Sequence, residues 1–128
     1  EVLGTSPSDF FKEKSKEKVL YTKNERTIYD EYDRGYVLNW LVMKSNEFEM
    51  EPLILSLKPG ASYKHFDPSE SDTFIYCLKG CVTLTLGNSR YQANEQDVLY
   101  FRANEIHQLH NETTDEIEIL IVATASYL

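Results

Sequence analysis

Apolar and polar side chains alternate along this 128-residue chain from about residue 18 onward. Period two is the signature of strands with one buried face. Tyr36–Met43 and Pro52–Leu57 are strongly apolar runs, the second stopped by Lys58-Pro59-Gly60. Phe74–Lys79 ends at Gly80; Val82, Leu84 and Leu86 alternate with Thr83 and Thr85 before Gly87-Asn88 turns the chain toward Tyr91. Val98–Phe101 and Ile117–Val122 complete the set. Strands this short, separated by Gly, Pro and Asn turns, predict an all-β closed barrel or sandwich. No segment after residue 26 carries helical periodicity, and there is no internal repeat or low-complexity tract.

The opening residues, EVLGTSPSDFF, read instead as helix punctuation. Gly4 suits the left-handed position just past a helix end. Ser6 offers an N-cap, Pro7 fits the first helical position, and Asp9 favours the positive helix start. Only Glu1, Val2 and Leu3 of the earlier helix are present, too few to be stable, and there is no initiator Met. The expectation is a fragment of a longer protein. KEKSKEK at 12–18 reads as a solvated helix tail or linker.

Charge changes the picture more than composition does. The apolar fraction of 41% suffices for one core and excludes a disordered tail. Thirteen Lys and Arg against twenty-one Asp and Glu give a net charge of −8, which disfavours non-specific binding to nucleic acid or anionic lipid. Residues 1–26 carry six basic and five acidic side chains, and residues 27–128 carry seven and sixteen. Any contact with DNA would therefore not be made by the long acidic part. No stretch approaches the roughly 20 apolar residues of a membrane-spanning helix, and two cysteines are too few for a disulfide scaffold. The expected setting is the cytoplasm.

Three histidines carry the candidate chemistry. His107 and His110, three apart in a predicted strand, point to opposite faces. His65 follows the Pro59-Gly60 turn, and in extended backbone Asp67 projects to its side. His65, Asp67 and His107 would then form a two-His, one-carboxylate set suited to Fe(II) and similar divalent ions; the competing reading is three structural residues. Asp67–Asp72 reads as an exposed connector that could supply a further carboxylate. Cys77 shares its strand face with Ile75 and reads as a small buried residue rather than a redox group. Two thiols without a second pair make no structural zinc site. The nine tyrosines suit pleated packing, and some could line a cavity. Nucleophile-elbow, phosphate-loop and H-E-x-x-H motifs are absent.

The ordered set Pro59-Gly60, His65-x-Asp67, Thr73-x6-Gly80, then Asp97-x9-His107-x3-Asn111 resembles the paired motifs of the cupin superfamily over residues 36–126. That resemblance implies a small antiparallel jelly-roll barrel. Departures are informative: Asp67 stands where the family has its second metal-binding His, and Thr73 where it has the metal-binding Glu. Gln96 replaces the glycine before Asp97, and Asn104 lies near the usual proline and glycine. A hydroxyl is a poor substitute for a charged oxygen donor. The resemblance leaves open a divalent metal (zinc, iron, manganese or nickel) or none. EVLGTSPSDFF is in turn similar to the end of an XRE-type helix-turn-helix domain. Residues 1–17 would be its remnant and linker, and residues 18–128 the barrel.

The expectation is a non-enzymatic, ligand-sensing and dimerising domain of a DNA-binding regulator. A small-molecule effector would bind inside the barrel, DNA only through a preceding domain, and no membrane would be involved. His65, Asp67, Thr73, Ile75, Cys77 and His107 should converge around that effector, with Tyr63 and Tyr76 as second-tier candidates. The rival is a small metal-dependent cupin enzyme, a dioxygenase or isomerase, using His65, Asp67 and His107. A third reading is a purely structural dimerisation barrel with a filled interior.

Overall fold

In the computed structural model, residues 19–42, 50–124 and 128 are described. The proposed helical junction at 1–17 lies outside them. Nine antiparallel strands follow the alternation seen in the sequence: β1 (Thr27–Glu31), β2 (Tyr36–Trp40), β3 (Met50–Leu57), β4 (Asp72–Lys79), β5 (Val82–Leu86), β6 (Ser89–Ala93), β7 (Val98–Arg102), β8 (His107–His110) and β9 (Ile117–Thr124). Helical structure among the described residues is limited to two short 3-10 turns, Lys23–Glu25 and Tyr32–Arg34. The all-β expectation is met.

The strands form two sheets, ordered β1-β2-β3-β9-β4-β7 and β6-β5-β8. Their facing surfaces carry the core. Leu53, Leu55 and Leu57 of β3, Ile75 of β4, and Ile117, Ile119 and Ile121 of β9 are buried on the large sheet. Val82 and Leu84 of β5 and Leu109 of β8 oppose them on the small one. Fully burying each such side chain contributes about 1.5–3 kcal/mol, so alternation fixes the register: a one-residue slip would turn every one of them to solvent. Among the described residues β6 and β7 are outermost in their sheets where they approach each other. The barrel is therefore not closed by pairing there.

The turns explain why certain residues stand where they do. Gly80 sits at φ +87°, and a Cβ built on it would come within 2.5 Å of Ile117 Cγ2. Left-handed backbone and close approach together require glycine. Gln96 adopts φ +74°, the left-handed region, with a side chain present. It is held by its amide donating to the Cys77 carbonyl at 2.7 Å, while the Asp97 amide bonds the Asn94 carbonyl at 2.9 Å.

This strain predicts a stabilising substitution. A left-handed residue with a Cβ costs about 1–2 kcal/mol, and glycine's extra freedom when unfolded returns roughly 0.4–1 kcal/mol. Gln96→Gly is expected to raise stability by about 0.5–1 kcal/mol, seen as a higher midpoint in chemical denaturation. A lower midpoint would contradict the strain argument.

Candidate functional site

The site is built where the chain between β3 and β4 crosses the start of β8. Residues 61–70 form no continuous strand; they meet the small sheet at two isolated bridges, Ser62 with His110 and Phe66 with His107, and through the Gln108 side chain, whose Nε2 donates to the Tyr63 carbonyl at 2.7 Å. At the second bridge the Phe66 amide donates to the His107 carbonyl at 2.9 Å and the His107 amide donates back at 3.1 Å. Directly opposed residues in such a pair share a face. Both rings therefore point inward and stack, with centroids 5.0 Å apart and planes at 26°. The rings continue on either side: Phe101 of β7 meets His107 edge-on at 5.4 Å. Tyr63 meets Phe66 at 5.6 Å, and Tyr36 of β2 meets Tyr63 at 5.0 Å. One chain of five rings thus crosses the interior.

His107 is 2% exposed. Its Nδ1 lies 3.3 Å from the Glu105 carbonyl oxygen, which can only accept, so the proton sits on Nδ1. Burial holds the imidazole below its ordinary value of 6.5; the Glu105 bond opposes this, and the nearby charge of His65 reinforces it. His110, by contrast, faces the other side of the small sheet. There Ser62 Oγ lies 2.7 Å from its Nδ1 and Thr85 Oγ1 lies 3.2 Å from its Nε2. The expected opposition of the two histidines is what the structure contains.

The other predicted site residues divide. Thr73 (1% exposed), Ile75 and Cys77 line the inner face of β4, as alternation required. Thr73 lies directly across from Phe101, which contacts His107. Ile75 and Cys77 are core side chains. Burial pushes the Cys77 thiol up, Cys81 adding to the effect, and its Sγ donates to the Gly80 carbonyl at 3.1 Å. Tyr63 is buried within the ring chain.

Three expectations require correction. Tyr76 points to the outer face of the large sheet, because its neighbours Ile75 and Cys77 take the inner one. His65 and Asp67 are exposed. The residue between them, Phe66, is the one buried against His107. With Thr73 where the resemblance places the family's metal-binding Glu, the donor set does not fit a divalent ion. Among the described residues no group of three or more His, Cys, Asp and Glu side chains is placed to hold a metal. His65, Asp67 and His107 are not assembled as a metal triad.

Asn111 is the retained motif residue whose role is structural. Its Nδ2 lies 3.1, 2.9 and 2.7 Å from the carbonyls of Leu57, Lys58 and Asp115. Its Oδ1 accepts from the Thr113 amide at 2.9 Å and hydroxyl at 2.6 Å. This buried amide ties the end of β3 to the loop before β9.

Sequence reasoning missed the feature beside His107. A cleft of about 290 Å³ opens between the unpaired edges of β6 and β7, lined by Leu84, Leu86, Tyr91, Val98, Leu99, Tyr100 and Phe101. Leu86 is the direct cross-strand partner of His107, and Phe101 is its edge-on neighbour. The alternation Leu84-x-Leu86 and Leu99-x-Phe101 already put four of these residues on inner faces. What the sequence withheld was that β6 and β7 remain apart.

The His107 environment sets a pH dependence. The unfolded imidazole, with its ordinary value of 6.5, takes up a proton before the buried one does as pH falls. The unfolded state then binds more protons, so stability drops. Stability is whole above about pH 6.5 and declines below it until the buried ring itself protonates. His110, also depressed by burial, acts in the same direction. Melting temperature is expected to fall between pH 6.5 and 5, with a shallower fall in His107→Gln. An unchanged slope in that variant would contradict the assignment.

Known proteins share this fold. Residues 53–123, more than half of the chain, match the family model of the cupin domain. No curated protein matches the sequence. In structure the chain is similar to the cupin domain of an XRE family transcriptional regulator from Enterobacter cloacae: TM-score 0.65, 13% identity, covering 73% of this chain and 99% of that one. An HTH_3 family transcriptional regulator from Vibrio cholerae gives TM-score 0.66 at 12% identity, over 81% of this chain and 57% of that one. A sugar phosphate isomerase of the cupin superfamily from Silicibacter pomeroyi gives 0.61 at 23%, over 72% and 60%. At such identities the likeness establishes the fold, and regulators and enzymes share it. The two-sheet barrel, the ordered motifs and the match over residues 53–123 together place this chain in the cupin family.

Proposed function

We propose that this chain is the effector-binding and dimerising domain of a DNA-binding transcription regulator, and that it acts as a sensor rather than an enzyme. The observation that carries this reading is the cleft beside His107, whose walls hold leucine, valine and aromatic side chains and no carboxylate. Such a wall suits binding; it supplies no general acid–base pair or oxygen-rich ligand set. Similarity to cupin domains of regulators supports the reading. DNA contact falls to a preceding helical domain, since residues 27–128 carry sixteen acidic against seven basic side chains. The setting is cytoplasmic and no membrane is involved.

Coupling runs through the dimer. A ligand shifts only an equilibrium between states it binds unequally, and here those states are two dimer geometries. We place the dimer contact on the outer face of the large sheet. Across it the register aligns Ile28, Asn39, Ile54, Leu120, Tyr76 and Val98 in one row. Pro52, Val122, Phe74 and Tyr100 form the next. Ile28, Val98 and Tyr100 are exposed. Six strands at about 4.8 Å spacing make a face some 24 Å across, and so broad an apolar surface marks an interaction site.

The test is metal analysis and sedimentation of the purified protein, followed by a thermal-shift screen against small metabolites. A ligand that prefers the folded form raises its melting temperature. The expected result is a dimer with far less than one metal ion per chain and a saturable upward shift with at least one metabolite. Near-stoichiometric iron, manganese, zinc or nickel, lost in His107→Ala, would contradict the sensor reading and favour a metal-dependent enzyme. A monomer would contradict the dimer contact.

A further inference from the structure

We propose that the cleft between β6 and β7 takes one chemical class of ligand: an uncharged, mostly apolar ring compound of about ten non-hydrogen atoms, carrying a single hydroxyl or N–H. The proposal rests on the effector-binding reading above and narrows it.

Size comes from the cleft itself. About 290 Å³, at roughly 30 Å³ per water-sized group, holds about ten such groups. That accommodates one fused or substituted ring.

Charge is decided by the walls. The seven lining side chains include no Asp, Glu, Lys, Arg or His. A carboxylate, phosphate or ammonium entering the cleft would lose hydration and meet no counter-charge there. Polyamines, free amino acids, organic acids and sugar phosphates are thereby disfavoured. Unphosphorylated sugars fare poorly too, because their many hydroxyls would face leucine and valine, with two phenols as the only side-chain hydrogen-bonding groups.

Shape comes from the rings. Phe101 forms part of the wall and meets His107 edge-on, and His107 stacks on Phe66. Behind them stand Tyr63 and Tyr36. This packed row braces Phe101, so the cleft presents a preformed aromatic surface to which a flat ligand adds an edge-to-face or offset contact. The polar handle is at the rim, where Tyr91, across from Leu84, is 46% exposed. A phenol donates and accepts, which suits a ligand with one hydroxyl or N–H turned outward.

The experiment is a thermal-shift titration of the full chain with five probes. Indole and p-cresol represent the proposed class; benzoate, spermidine and glucose represent the excluded ones. Indole or p-cresol is expected to raise the melting temperature saturably by several degrees, and the other three to leave it unchanged. Leu86→Trp, which fills the cleft, should abolish the shift. Should that variant fold poorly, Tyr91→Ala, on the cleft side of β6 and away from the large sheet's outer face, should weaken binding several-fold. A shift with benzoate, spermidine or glucose that these variants remove would overturn the ligand class while leaving the sensor reading intact. An indole shift that survives both variants would overturn the site. No shift with either ring compound would overturn the proposal, and the broader metabolite screen would then decide the sensor reading separately.

Discussion

Two reciprocal backbone hydrogen bonds, from the Phe66 amide to the His107 carbonyl and back again, set which side chains the interior of this barrel receives. They oppose the two residues and stack their rings. Once Phe66 faces in, His65 and Asp67 on either side must face out. An aromatic residue thus occupies the direction a pair of polar donors would need. The interior becomes a place for stacking and apolar contact, with a single imidazole that burial keeps neutral.

Much of the barrel was legible in the sequence. Val82–Leu86, Val98–Phe101 and Ile117–Val122 lie where alternation put them, extended by at most two residues in the structure. Period two works there because each strand sits between two others or against the core, so every second side chain is buried. The opposed directions of His107 and His110 followed from the same rule. Thr27–Glu31 was not singled out, since only its edges are half-buried and its middle three residues are exposed.

The site was less legible, for a definite reason. Between Ser62 and Ser71 the chain makes isolated bridges instead of a ladder. Buried side chains there fall at Tyr63 and Phe66, three apart rather than two. Counting by twos from the Pro59-Gly60 turn cannot foresee that slip, so His65 and Asp67 seemed able to point inward. Tyr76 failed differently: its own strand's alternation, with Ile75 and Cys77 buried, assigns it to the outside. Gln96, standing at the motif's glycine position, takes left-handed backbone here, a conformation that glycine adopts without strain.

The central claim is that His107 faces the interior and His65 faces solvent. Site-resolved histidine acylation at neutral pH, followed by mass spectrometry of the native protein, tests it most directly. The account predicts rapid modification of His65 and strong protection of His107 until the protein unfolds. Equal reactivity of the two, or protection of His65 with modification of His107, would contradict it.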